Sequence, residues 1–264
     1  VTDALKIGII GGVGWLGSAI ASAMLEAGVT GGENLTLSSR SRNPDRFPGV
    51  NWTQDNQALA DHSDVIILSV RPDDWRTLEV DAQEKLVISV MAGISLDQLS
   101  SRHKTGRVVR SQPNAAAEIG KSFTPWVASK QASETDRAMV KTIFGACGAE
   151  DEVASEGDID YFTALTGSGP AFPALLADAM MQHAIGYGLA SELARKAARM
   201  VLIGAGGLME KTDESPTDIV RSFTDYRGTT AAALETMRAE GFDAAVASGL
   251  AAGFQKAKAM GGAS

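Results

Sequence analysis

A short apolar run that stops on glycine constrains this chain more than any other feature. Ile7-Gly8-Ile9-Ile10-Gly11 leads into Gly12-Val13-Gly14-Trp15-Leu16-Gly17, and LGSAIASAMLEAG follows with small and apolar residues at helical spacing. A continuous apolar run of this length suits a buried strand of a parallel sheet. G-x-G-x-x-G between such a strand and a helix permits a tight turn and close backbone approach to a pyrophosphate. It also leaves the helix N-terminus open, with free N–H groups and a positive dipole end. Gly12, Val13, Gly14, Trp15 and Leu16 are therefore expected to bind the pyrophosphate of a dinucleotide.

The pattern continues. NLTLSS, DVIILSV, KLVISVMAG, GRVVRSQPN and FTPWVAS read as strands, the first of them alternating with helical segments. That alternation implies βαβ units and a doubly wound sheet. From about Ser133 the strand signals fade, and the remainder reads as helices rich in Ala and Gly, one opening on Ser215 as cap with Pro216 at its first position. The expected fold is an α/β Rossmann-type doubly wound sheet followed by an all-α domain. Residues 1–130 would form the dinucleotide-binding domain, and residues 131–264 the helical dimerisation domain. The Ala/Met/Leu-rich helices are expected to pack against a second copy.

The end of the second strand bears on the choice of dinucleotide. An acid there would hold a ribose 2′-hydroxyl and repel a 2′-phosphate. This chain has Ser38-Ser39-Arg40-Ser41-Arg42, with no acid before Asp45. Ser39, Arg40 and Arg42 suit a 2′-phosphate, because arginine grips one bidentately. Other strand ends should line the same crevice: Ser69, Val70, Arg71 and Pro72, and then Met91, Ala92 and Gly93, where small residues leave room for a flat ring.

Composition excludes several functions. A net charge of −8 argues against a nucleic-acid or anionic membrane partner. One cysteine, Cys147, permits no disulfide within the chain, and three histidines give little for a metal site, so no metal is expected. No run of about 18 apolar residues reads as a membrane span. VTDALKIGII lacks the basic start and cleavage site of a signal peptide. The expected location is cytoplasmic.

The blocks SVRP, SVMAGIS, VVRSQPNAAAEIG, LTGSGPAF and DYRGTTAAALETM follow in the order and spacing of the pyrroline-5-carboxylate reductases, and the chain resembles that family from about residue 5 to about residue 255. The resemblance implies reduction of the cyclic imine 1-pyrroline-5-carboxylate to L-proline, with NADPH or NADH as hydride donor. It also implies an interlocked homodimer or higher homo-oligomer. It further assigns Asn56 to the cofactor, Ser168 and Gly169 to a substrate-facing helix break, and Gly228, Thr229 and Thr230 to the substrate loop. Backbone N–H groups of that loop would hold the substrate carboxylate, and Thr230 would sit near the imine nitrogen. A helix start supplies such donors. On the residues alone, Thr229 or Thr230 can equally be a helix cap.

The chain departs from the family pattern where Asp225-Tyr226-Arg227 replaces Ser-Pro-Gly, Ala115-Ala116 replaces Thr-Pro, Arg71 replaces a lysine and Phe172 a tyrosine. Arg227 can pair with Asp225 or reach a polar group of the substrate. Two alternatives to a proline-forming enzyme follow: a related reductase acting on another imino acid, or a non-catalytic NADP-binding protein.

Overall fold

The computed structural model describes residues 5–40 and 47–261. The described residues divide into two compact units: one runs up to Ser168 and is rejoined by the chain from Gly253, and the other is Gly169–Ala252.

The first unit is built on one eight-stranded sheet. Its elements are β1 (Ile7–Ile10), α1 (Trp15–Glu26), β2 (Leu35–Ser38), β3 (Asn51–Thr53), α2 (Asn56–Asp61), β4 (Val65–Leu68), α3 (Pro72–Trp75) and β5 (Leu86–Ser89). They continue with α4 (Leu96–His103), β6 (Val108–Ser111), β7 (Ser122–Ala128), α5 (Glu134–Cys147), β8 (Gly148–Glu152) and α6 (Glu156–Phe162). The strand order is β3-β2-β1-β4-β5-β6-β7-β8. Every neighbouring pair is parallel except β6–β7. Strand order reverses between β1 and β4, which makes their carboxyl ends the place for a ligand crevice.

Both faces of the sheet are covered, which explains the unbroken apolar runs of β1, β4 and β5. Ile7, Ile9, Leu35, Leu37, Ile67 and Ile88 pack with Trp126, Val140 and Phe144 in one core cluster. Ile10, Ile66, Leu68, Val87 and Val108 pack with Leu59, Trp75 and Leu99 in the other. The helix starts are set by short polar side chains: Asp55 caps α2, and Ser95, Ser133 and Ser155 close capping boxes on α4, α5 and α6.

The change of character near residue 130 does not coincide with the end of the sheet unit. β8 pairs in parallel with β7, from Ser122↔Gly148 to Trp126↔Glu152. GAEDE has no apolar alternation, because β8 is an edge strand with an exposed side, so its sequence reads as loop. Its first residue, Gly148, has φ 141, and a Cβ there would stand 2.2 Å from the Ser122 carbonyl oxygen. The sheet thus reaches residue 152, and this stretch of the first unit runs to Ser168, after a π-helical turn over Thr163–Gly167.

The second unit contains α7 (Ala171–Gly186), α8 (Ser191–Met209), α9 (Pro216–Asp225), α10 (Thr229–Ala239) and the start of α11 (Phe242–Gly261). Ser215 caps α9 and Pro216 occupies its first turn, as the sequence predicts. Among the described residues, no helix is long and apolar enough to cross a membrane.

Candidate dinucleotide site and substrate loop

Chain geometry at the end of β1 is dictated by glycine. Gly11 takes φ 87, and a Cβ there would lie 2.2 Å from the Ser69 carbonyl oxygen. The Gly14 N–H donates to the Gly11 carbonyl at 2.9 Å, closing the turn. A Cβ on Gly12 would meet Leu37 Cβ at 2.8 Å, and one on Gly17 would meet the Gly11 oxygen at 2.6 Å. The turn therefore sits against β2 and β4 at van der Waals limits. Gly14 is the N-cap of α1, with no side-chain cap and no acidic residue in the first turn. The N–H groups that begin a helix have no partner inside it, so α1 offers them to an anion.

A cleft of about 370 Å³ opens beside this turn, across the carboxyl ends of β1, β2 and β4. Of the residues expected from sequence, Val13, Gly14, Ser39, Arg40, Asn56, Ser69, Val70 and Arg71 line it. Gly12, Trp15, Leu16 and Pro72 belong to the surrounding framework. Gly12 packs on Leu37, Leu16 packs on the core, and Pro72 starts α3. Trp15 is exposed, and its indole N–H donates to Glu118 Oε2 at 3.0 Å, tying the glycine turn to the segment after β6. Met91 is buried in the core beside Ile94, and Gly93 lines a different cleft, of about 960 Å³. Arg42 lies outside the described residues.

Several residues of the cleft escaped the sequence pattern. Gly11, the glycine with the positive φ, precedes the hexapeptide, and its adjacency to Gly12 is the signal that could have found it. Ser38, Gln54, Asp74 and Thr77 also line the cleft. Asp74 grips Arg40 from across it, with contacts of 3.1 and 3.4 Å between the two guanidinium NH2 groups and the two carboxylate oxygens. Nothing in the local sequence marks Asp74, because its partner is 34 residues away.

The groups here fit a phosphorylated dinucleotide. The uncapped α1 start suits a pyrophosphate, while Ser39 and the exposed Arg40 fork suit a 2′-phosphate.

Ser168 belongs to the first unit, whereas Gly169, Gly228, Thr229 and Thr230 belong to the second. Ser168 Oγ donates to the Thr163 carbonyl at 3.2 Å, closing the π turn. A π turn inside a helix is a frequent mark of functional sites. In the second unit, α9 ends at Asp225 and Arg227 takes φ 52. The Arg227 N–H donates to the Thr224 carbonyl at 3.1 Å. Gly228 is the N-cap of α10, no side chain caps it, and Thr229 and Thr230 occupy the first turn. The cap role open to the threonines is therefore not the one they take. Nor do Asp225 and Arg227 pair with each other among the described residues.

The remaining reactive groups are structural. His103 is buried; burial lowers its pKa, partly offset by its bond to the Val80 carbonyl, and the Arg102 charge lowers it further. Neutral, it accepts from the Trp75 indole N–H at 2.9 Å, which leaves Nδ1–H to donate to the Val80 carbonyl. Burial pushes the Cys147 thiol up to about 11, which removes it as a nucleophile. Among the described residues, no cluster of His, Cys, Asp or Glu is arranged to hold a metal ion.

Fold and cleft define a Rossmann-type protein with a helical C-terminal region. Residues 156–260 match the profile "Pyrroline-5-carboxylate reductase dimerisation", and residues 6–93 match "NADP oxidoreductase coenzyme F420-dependent". The chain is 30% identical to a pyrroline-5-carboxylate reductase of Corynebacterium melassecola, over 89% of this chain and 91% of that one. The crystal structure of a Plasmodium falciparum pyrroline carboxylate reductase with NADP bound superposes with a TM-score of 0.84 at 27% identity, covering 97% of this chain and 98% of that one. The Coxiella burnetii enzyme gives 0.86 at 25% identity, covering 98% and 99%. The chain belongs to the pyrroline-5-carboxylate reductase family.

Proposed function

We propose that this protein reduces the C=N bond of 1-pyrroline-5-carboxylate with NADPH, giving L-proline. The observation that carries the reading is the cleft at the carboxyl ends of β1, β2 and β4, with an uncapped α1 start and Arg40 at its rim, in a chain of this family.

Bound nicotinamide supplies the hydride. The chain's own part is binding and orientation. The α1 N-terminus holds the pyrophosphate, Ser39 and Arg40 hold the 2′-phosphate, and Asn56, Ser69, Val70 and Arg71 wall the cofactor. The N–H groups of Gly228, Thr229 and Thr230 hold the substrate carboxylate, with Ser168 and Gly169 beside the substrate. The Thr230 hydroxyl takes a hydrogen bond from the protonated nitrogen and keeps it with the amine product. An imine protonated on nitrogen accepts hydride without a charged acid, so positioning supplies most of the rate. NADH serves as a second donor.

The helical region, proposed as the dimerisation and substrate domain, makes the protein a homodimer or higher homo-oligomer. Leu175, Met200, Val201, Ile203 and Leu208 are exposed in the single chain, which supports that assembly. The proposed location is the cytoplasm.

One observation favours a second reading within the same chemistry. Arg227 is exposed and carries no ion pair among the described residues, at the position before the Gly-Thr-Thr turn. An imino acid with a further acceptor group would meet it.

The test is NADPH consumption with 1-pyrroline-5-carboxylate, with piperideine-carboxylates and with no imine. Turnover on the first, with proline formed in equal amount, is expected. Preference for another imine establishes the second reading. Tight NADPH binding with no turnover on any imine refutes both.

A further inference from the structure

The Arg40–Asp74 pair bears on cofactor choice, and the inference drawn from it rests on the NADPH reading above. Arg40 presents two guanidinium nitrogens to the two oxygens of one carboxylate, at 3.1 and 3.4 Å. That is the fork-to-fork contact by which arginine grips a phosphate. The carboxylate of Asp74 thus takes the place on Arg40 that a 2′-phosphate would take.

The two partners differ in freedom. The Arg40 side chain is 86% exposed and the Asp74 side chain 37%. α3, which carries Asp74, is pinned from below by its neighbour Trp75. That side chain is buried and donates to His103. The guanidinium of Arg102 lies 4.8 Å from the Trp75 ring centroid, and Thr77 Oγ1 donates to the Asp74 carbonyl at 3.0 Å. When a phosphate arrives, Arg40 can swing, but the Asp74 backbone cannot retreat from the rim. The carboxylate then stays as a like charge beside a monoester carrying close to two negative charges. A ribose 2′-hydroxyl meets no such repulsion and can donate to a carboxylate.

We propose that Asp74 is a cofactor-selectivity residue: it competes with the 2′-phosphate for Arg40 and lowers affinity for NADPH but not for NADH. Removing the charge therefore widens the preference for NADPH. An exposed ion pair adds little to folding, so Asp74→Asn is expected to fold normally.

The experiment measures dissociation constants by nicotinamide fluorescence and calorimetry, without imine. Ligands are NADPH, NADH, adenosine 2′,5′-bisphosphate and 5′-AMP, on the wild type, Asp74→Asn, Asp74→Glu and Arg40→Ala. Asp74→Asn should tighten NADPH and the bisphosphate by about three- to tenfold at low salt, as expected for one like charge removed near the protein surface. NADH and 5′-AMP should not tighten by more than about twofold, and the NADPH gain should shrink as salt rises. Asp74→Glu, which keeps the charge, should return NADPH affinity towards that of the wild type. Unchanged or weaker NADPH binding in Asp74→Asn, or equal tightening of NADPH and NADH, overturns the proposal. Arg40→Ala separates this from the underlying reading. Selective loss of NADPH there, with no gain in Asp74→Asn, refutes the role of Asp74 alone. Equal loss of both cofactors in Arg40→Ala refutes the 2′-phosphate site and the proposal with it.

Discussion

Two alanine substitutions in one turn should fail in different ways. Gly11 has φ 87, beyond the left-handed region that L-residues tolerate. A methyl there would also stand 2.2 Å from the Ser69 oxygen and 2.9 Å from Val70 Cγ1. The oxygen is main chain, so β4 must move by about 1 Å to restore contact distance. Strain at a disfavoured φ costs about 1–3 kcal/mol, and overpacking adds about 1–3 kcal/mol. Gly11→Ala should therefore lose about 4 kcal/mol. At about 2–4 °C per kcal/mol for a domain of this size, Tm falls by about 8–16 °C. Gly14 is different. Its φ of −62 suits any residue, and its nearest obstacle is the Gly11 oxygen at 3.1 Å. Gly14→Ala should cost about 1 kcal/mol, because alanine is the poorer N-cap. Its methyl, however, stands at the edge of the cleft where a phosphate meets the α1 N–H groups. One lost hydrogen bond to a charged group is worth about 1.5–3 kcal/mol, so NADPH binding should weaken at least tenfold, about 1.4 kcal/mol. Differential scanning calorimetry and NADPH titration read the two effects. A Gly11→Ala protein melting within about 2 °C of the wild type would refute the backbone argument. NADPH affinity within about twofold in Gly14→Ala would remove the α1 start from the cofactor site.

Thr230→Ala should lower kcat by about tenfold or more while NADPH affinity stays within about twofold; equal losses, or none, in steady-state kinetics and titration would take Thr230 out of the active site. Asp136 is 2% exposed and bonded to Arg107. Burial pushes its carboxyl up, but bonds from Arg107 and from the Ser133 N–H and hydroxyl more than offset this, holding it below its ordinary 3.8. Its stabilisation is then present above about pH 4 and lost as pH falls through the lower folded pKa. Asp136→Asn should be less stable at neutral pH and show a flatter acid limb in denaturant titrations; parallel pH curves for the two proteins would contradict this. Cys147 is buried with its thiol raised to about 11, so a disulfide reagent at pH 8 should label it only at the rate of unfolding. Fast labelling of the native protein would show that the α5 packing is wrong.

Sequence patterns located the lining of the cleft wherever it sits on short-range geometry. β1, its glycine turn and α1 are contiguous, so their spacing is their structure. Ser39 and Arg40 follow β2 directly, and a strand end is a fixed place in a doubly wound sheet. What escaped was set by pairing between distant segments. Asp74 meets Arg40 only because α3 and β2 end on the same rim. β8 joins the sheet through backbone pairing with β7, and its polar residues leave no periodic trace. Met91 is a different case: at a strand end, a side chain facing the core and one facing the crevice are one residue apart, and that of Met91 is buried in the core.

The Gly-Thr-Thr stretch was the least legible part, and the reason lies in the unit that holds it. Between residues 169 and 252 the fully buried side chains are alanines, at 194, 198 and 231. Large apolar side chains of α7 and α8 remain in water in the single chain. A helix that is apolar over most of its surface is stable only when covered, and a unit without large buried side chains has little to set against chain entropy. In the proposed homodimer a second copy covers these faces. Periodicity reports which residues are apolar, but not which copy buries them. For the same reason the environment of Gly228–Thr230 is not a property of the local sequence. Arg227 can still be judged, because its evidence is in the backbone. Its φ of 52 lies in the left-handed region that glycine adopts freely. A non-glycine residue bears about 1 kcal/mol or more for that shape. The turn is therefore kept at a cost, and what the substitution adds is a guanidinium beside the Gly-Thr-Thr start of α10. Such a change leaves the turn's backbone in place, and under the function proposed above it acts on which imino acid fits against it.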